Sequence, residues 1–184
     1  MKDYRRAYPE FALCGLNCGL CPRYHADGPS RCPGCGGPGF HLKHPSCAVV
    51  TCARNHGAVE FCYECAEFPC PRFSGPNTRD SFITYRNVPA DLVRAKRSGL
   101  KAYRKELDRK IEILRLLLKN ADDGRHKGFY CLAVNLLGLP VLERMVKTIE
   151  AQMKARGPVD AKAAVEILEA AAKKKGIELK LRKG

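Results

Sequence analysis

At 184 residues, with 45% apolar and 28% charged content, the chain has the make-up of an ordinary water-soluble globular protein and is long enough for one domain or two small ones. No stretch reaches the roughly 18 apolar residues of a membrane helix. The N-terminus, MKDYRRAYPEFAL, lacks the apolar run of a secretory signal, so the sequence reads as cytoplasmic.

The net charge of +14 is unevenly placed: residues 1–78 carry eight Lys/Arg against six Asp/Glu, and residues 79–184 carry 25 against 13. Residues 1–13 read as a lead-in whose Tyr4, Tyr8, Phe11 and Leu13 are free to pack on the cysteine-rich segment. Ten of the eleven cysteines then fall between Cys14 and Cys70: Cys14, Cys18, Cys21, Cys32, Cys35, Cys47, Cys52, Cys62, Cys65 and Cys70. Three of the gaps are C-x2-C, the spacing at which a tight turn aims two sulfurs at one ion about 2.3 Å away. In a reducing cytoplasm such a cluster suits metal better than disulfides. The segment is also rich in Gly and Pro, as in CPGCGGPGFHLKHPSC, and has few large apolar residues, so metal would supply much of its folding energy.

The simplest partition places Cys18, Cys21, Cys32 and Cys35 on one zinc ion, in the manner of a zinc ribbon, and Cys47, Cys52, Cys62 and Cys65 on a second. Cys14 and Cys70 are then left over, and spacing alone leaves exchanged partners open. Four thiolates saturate zinc, which makes the metal structural. His41, His44 and His56 are spare candidate ligands that read more simply as loop residues. The rival is an iron–sulfur cluster: Cys14, Cys18 and Cys21 form the C-x3-C-x2-C triplet of radical enzymes, although no alternating strand–helix pattern comes after it.

A boundary is expected at Ser74–Thr78, giving a metal-binding module over 1–76 and a basic helical domain over 77–184. Ser81–Asn87 reads as a short strand. Helices are expected over Pro89–Ser98, Gly99–Asn120, His126–Leu137, Pro140–Arg156 and Pro158–Lys175. The second is the most strongly marked, with Leu100, Tyr103, Leu107, Ile111, Leu114 and Leu118 on one face. Ile177–Arg182 alternates apolar and polar residues as a second strand would, and it is expected to pair with Ser81–Asn87 or with another subunit. The expected fold class is α+β, mainly helical: a loop-rich, zinc-ribbon-like module packed on a helical bundle with one or two short strands.

Two further features bear on ligands. In DDGRHKGFYC, a helix capped by Asp122 or Asp123 would set Arg125 and Lys127 beside free N–H groups, an arrangement that favours an anion, with Tyr130 and Cys131 one turn further in. The plainer reading is a capped helix with a buried Cys131. Residues 94–119 carry ten Lys/Arg against three Asp/Glu, with Arg94, Arg97, Lys101 and Arg104 at helical spacing, either a nucleic-acid-binding stripe or a solvated helix face.

Cys14-Gly15-Leu16-x-Cys18-x2-Cys21-Pro22, Cys32-x-Gly34-Cys35 and Cys62-x-Glu64-Cys65-x-Glu67-Phe68-Pro69-Cys70 together resemble an uncharacterised cysteine-rich family of bacteria and archaea, domain of unknown function 3795. Asp123-Gly124-Arg125-x-Lys127-x-Phe129-Tyr130-Cys131-x-Ala133-x-Asn135-Leu136-Leu137 resembles a second block of its longer members, which extends the likeness over roughly residues 12 to 140. The resemblance implies a small cytoplasmic metal-binding protein and brings no catalytic activity with it. The reading is therefore a zinc-binding protein with a binding or adaptor role, toward a protein or a small anionic ligand. The alternatives are an iron–sulfur redox or radical enzyme and a nucleic-acid binder.

Overall fold

The computed structural model describes residues 3–74, 79–156 and 160–183, and every regular element among them is helical. In the cysteine-rich half the elements are short. They are single 3-10 turns at Cys18–Leu20, Gly28–Ser30 and Cys62–Glu64, and the helices α1 (Phe40–Lys43), α2 (Ala48–Asn55) and α3 (Pro71–Ser74). Glycine and proline break the period too often for anything longer. The sequence did not announce α2, because Val49, Val50 and Thr51 are β-branched and disfavour a helix. It forms because Val50 and Ala53 are buried with Leu13, Cys35 and Phe40 in a small apolar cluster.

The second half holds α4 (Val88–Ser98), α5 (Leu100–Asn120), α6 (Lys127–Leu136), α7 (Leu139–Arg156) and α8 (Ala161–Lys173). These are the five expected helices, with ends shifted by a few residues; the expected start at Pro158 lies outside the described residues. The breakers sit where the sequence put them. Pro89 is in the first turn of α4, and Gly99, at φ +82°, separates α4 from α5. Gly176, at φ +65°, closes α8 with Ile177 N–H on Ala172 O and Gly176 N–H on Lys173 O, the paired bonds of a Schellman cap.

The helix α5 packs against α4, α6 and α7, and α8 packs on α6 and α7. Tyr103, Leu107, Ile111, Leu114 and Leu117 are the spine of one apolar cluster. That cluster also takes in Tyr8, Phe11, Leu20, Phe61 and Tyr63 from the cysteine-rich half, so the halves share a core. The boundary expected near residues 75–78 lies outside the described residues.

The expected strands are a correction: among the described residues there is no strand, and the fold is all helical rather than α+β. Residues 81–87 form turns. The Asp80 carboxylate accepts the Tyr85 N–H at 2.9 Å and the Thr84 hydroxyl at 3.3 Å, which folds the segment back on itself. Residues 177–182 lie beside it, joined by one backbone bond from Asp80 N–H to Arg182 O at 3.0 Å and by no ladder among the described residues. Instead the Arg86 guanidinium donates to the carbonyls of Glu178 at 2.7 Å and Lys180 at 2.6 Å, and Arg182 clasps Asp80 at 2.7 Å. The alternation in IELKLR is real, since Ile177, Leu179 and Leu181 are half-buried and Glu178 and Lys180 exposed. One-sided burial of any extended segment produces that pattern, with or without a neighbouring strand.

Candidate functional site

The three C-x2-C pairs differ in geometry. Cys21 N–H donates to Cys18 O at 3.0 Å and Cys65 N–H to Cys62 O at 3.2 Å, so each of these pairs closes the tight turn that a shared ion needs. Cys32 and Cys35 do not close such a turn: Cys32 N–H donates to Arg23 O at 2.8 Å, and Cys35 N–H to Pro9 O at 2.9 Å. Gly34 between them has φ +80°, and a Cβ there would stand 2.5 Å from the Pro9 carbonyl oxygen.

One gathering of thiols centres on Cys18. Burial pushes the Cys18 thiol well up, and its neighbours Cys35, Cys14, Cys21 and Cys32 add to the effect. Cys14 is pushed up to about 12 by burial, reinforced by Cys35 and Cys47. Burial also raises Cys21, opposed by the N–H groups of Arg23 and Tyr24, which favour the thiolate. The Tyr4 hydroxyl lies 3.9 Å from Cys35 Sγ.

A second gathering surrounds a cavity of about 20 Å³, room for one water-sized guest. Cys52, on the face of α2 that carries Val49, Ala53 and His56, lines it together with Cys62, Cys65 and Cys70. Burial pushes Cys62 up to about 12, helped by Cys14, Cys70, Cys52 and Cys65. The Cys62–Cys65 turn is anchored from both sides. Glu64 accepts the N–H groups of Glu60 at 3.0 Å and Phe61 at 3.1 Å. The buried Arg6 side chain binds the Glu60 carboxylate at 2.9 Å and carbonyls of Phe11 and Glu60, and lies over the Phe61 ring.

No disulfide joins the described cysteines. Among the described residues, no three or more His, Cys, Asp or Glu side chains converge, as they stand, on a position that could hold a metal ion. The donor chemistry fits zinc nonetheless: Cys52, Cys62, Cys65 and Cys70 are among the residues that line one small cavity, and Cys62 and Cys65 stand on a closed turn. Of the histidines, His56 directs Nδ1 to Cys52 O at 2.8 Å and Nε2 to Glu67 at 3.2 Å. His44 stacks on Phe40, and His41 Nδ1 is buried with no hydrogen-bond partner among the described residues.

The residues that join the halves went unnoticed in the sequence. Asn17, between Cys14 and Cys18, is 3% exposed; its side chain donates to Asp91 at 2.8 Å and to Asn135 Oδ1 at 3.3 Å, and accepts the Tyr103 hydroxyl at 2.8 Å. Asp91 also receives Arg94 at 3.0 Å, and Arg94 reaches Glu106 at 2.8 Å. Burial raises Asp91 and lowers Lys110, which is 5% exposed, to about 8 against the pull of Asp91 and Glu106. Gly15 makes the joint close. At φ +89°, a Cβ there would lie 2.6 Å from Leu92 Cγ and 2.9 Å from the Val88 carbonyl oxygen of α4. An isolated Asp, Lys or Asn in a helical pattern carries no signal that it is buried, so periodicity could not find this network.

Of the expected anion site, Lys127 and Cys131 are neighbours on α6, but the four residues do not share one exposed face. Arg125 is exposed, whereas Tyr130 and Cys131 are 0% and 2% exposed. The Tyr130 hydroxyl donates to Ala121 O at 2.8 Å, and Lys127 Nζ to His25 O at 3.2 Å. The protein's own carboxylates hold the turn before α6: Asp122 accepts Gly124 and His126 N–H, and Asp123 accepts Arg125 N–H and His126 Nδ1. Of the basic stripe, Arg97 and Lys101 are exposed, Arg94 is in the buried network, and Arg104 lies 4.0 Å over the Tyr8 ring.

These features define a helical protein with an all-thiol cluster in its N-terminal half. Residues 10–75 match the model of the family described as protein of unknown function (DUF3795), the family that the cysteine motifs resemble. The match spans the cysteine segment and stops short of the second block at 123–137. No curated protein and no solved structure matches the chain. Among the described residues no helix is long and apolar enough to cross a membrane.

Proposed function

We propose that this is a zinc-binding cytoplasmic protein in which two structural ions hold residues 14–70 together, and in which the module and the helices it rests on act as a binding or adaptor unit. The observation that carries the reading is the pair of undisulfided thiol gatherings in a half with little apolar core of its own. Cysteine-rich segments of this kind draw folding energy from metal. Four thiolates per ion leave no open position for substrate, so the metal would shape a surface rather than perform chemistry.

The test is metal content per chain, by plasma mass spectrometry with a visible spectrum, on protein purified anaerobically and without a nickel column. About two colourless zinc ions per chain are expected. Iron with acid-labile sulfide, or a folded chain free of metal, overturns the reading.

A further inference from the structure

Resting on the zinc reading, we infer that Cys52, Cys62, Cys65 and Cys70 share one ion, and that Cys47, which the spacing of the sequence groups with them, belongs to the other gathering. The four thiols line the same cavity of about 20 Å³, and Cys47 does not. The helix α2 explains the separation. Cys47 is its N-cap, five residues and so about 140° round the axis from Cys52. The two thiols therefore leave the helix on different sides. Cys52, with Val49, Ala53 and His56, lines the cavity and Cys47 does not; Cys47 packs on the cluster of Leu13, Cys35 and Phe40, which Val49, Ala53 and Cys62 also touch from the cavity side.

His56 is on the cavity wall but is not the fourth ligand. Nε2 pairs with Glu67 at 3.2 Å and Nδ1 with Cys52 O at 2.8 Å, while Cys52 Sγ lies farther from Nδ1, at 3.7 Å. That leaves an all-sulfur donor set, which suits zinc or another thiophilic ion over magnesium or calcium. A cysteine side chain has a single χ1 rotor, about which a lining thiol can turn toward an ion.

The experiment is alkylation of the zinc-loaded full chain with N-ethylmaleimide, read cysteine by cysteine by peptide mass spectrometry. In Cys52→Ala the thiols that have lost their ion should react together: Cys62, Cys65 and Cys70 label about tenfold faster or more, while Cys47, Cys18 and Cys35 keep their wild-type rates. If Cys47 speeds up with Cys62 and Cys65 while Cys70 does not, the inference is overturned. Should Cys52→Ala unfold and expose every thiol, the reverse variant decides. Cys47→Ala is expected to leave Cys52, Cys62, Cys65 and Cys70 protected, and loss of their protection overturns the assignment. His56→Ala should leave all four rates unchanged; exposure of those thiols would make His56 a ligand and overturn the all-sulfur set. A wild-type chain that holds no metal fails one step earlier, at the reading beneath the inference.

Discussion

Between residues 100 and 120 a single helix buries Tyr103, Leu107, Ile111, Ile113, Leu114 and Leu117, all at 3% exposure or less. Between residues 28 and 58 a longer stretch buries only Cys35, Phe40, Val50 and Ala53 among its apolar side chains. The first segment is held by apolar area removed from water, the second by turns and N–H bonds, with metal as its proposed brace. Burial fixes the helices wherever the period is right. The cysteine half has a defined shape only as long as its particular contacts persist, including those to α4 and α5.

Metal removal should break the comparison most sharply. If zinc holds residues 14–70, stripping it withdraws an apparent stabilisation on the order of 10 kcal/mol from that half. Hydrogen exchange should then rise first across 14–70 while α5 amides stay protected; equal loss in both halves would mean that the halves do not differ in this way. Leu114→Ala, at 0% exposure in the centre of α5, should cost about 4 kcal/mol by denaturant titration, since it removes packing and leaves a cavity. Gly15→Ala tests the joint itself. A left-handed φ and a clash with Leu92 and the Val88 carbonyl together predict a loss of about 3 kcal/mol, and a cost under about 1 kcal/mol would show that the joint gives way easily.

Two smaller effects are separated by pH. Burial works against the Asp80 charge, but hydrogen bonds from Arg182, Tyr85 N–H and Arg182 N–H hold its carboxyl well below the usual range. Its stabilisation is therefore complete above about pH 4, the unfolded value, and drains away as pH falls from there toward the depressed folded one. Asp80→Ala should cost about 2 kcal/mol at pH 7 and flatten the acid limb of the stability curve. Lys110 has the opposite profile. Its folded value of about 8 is below the unfolded value of about 10.4, so its contribution is whole above the latter and is lost as pH falls through the former. At pH 7 the buried ammonium is a cost, and Lys110→Met should stabilise by about 1 kcal/mol while removing that alkaline dependence. A destabilised Lys110→Met protein would mean that Asp91 and Glu106 need their cation.

The helices were legible because burial leaves a period: Leu100 to Leu118 marks one face of α5, and Pro89, Gly99 and Gly176 mark ends. The number and neighbourhood of the cysteines were legible too. Their grouping is left open by spacing alone, and the backbone adds a difference that spacing does not show: Cys32 N–H bonds Arg23 O and Cys35 N–H bonds Pro9 O, so this pair does not close the turn that the other two close. Cys47 and Cys52 stand five residues apart on α2, a helix that β-branched residues concealed. The alternation of Ile177 to Arg182 reported one-sided burial correctly and pairing wrongly, because Arg86 meets the carbonyls of Glu178 and Lys180 that a strand would otherwise bind. Polar joints such as Asn17 with Asp91 and Asn135 depend on residues up to 118 positions apart, beyond the reach of any local pattern.

The clasp of Asp80 by Arg182 also sets an order of events during synthesis. The cysteine segment and α4 to α7 leave the ribosome first and can begin to assemble. The turn at 80–86 must wait, with a buried carboxylate still lacking its cation, until residues a hundred positions later emerge to complete it. A chain stalled short of Arg182 would leave Asp80 without the three hydrogen bonds that Arg182 supplies, even with most of its helices already in place.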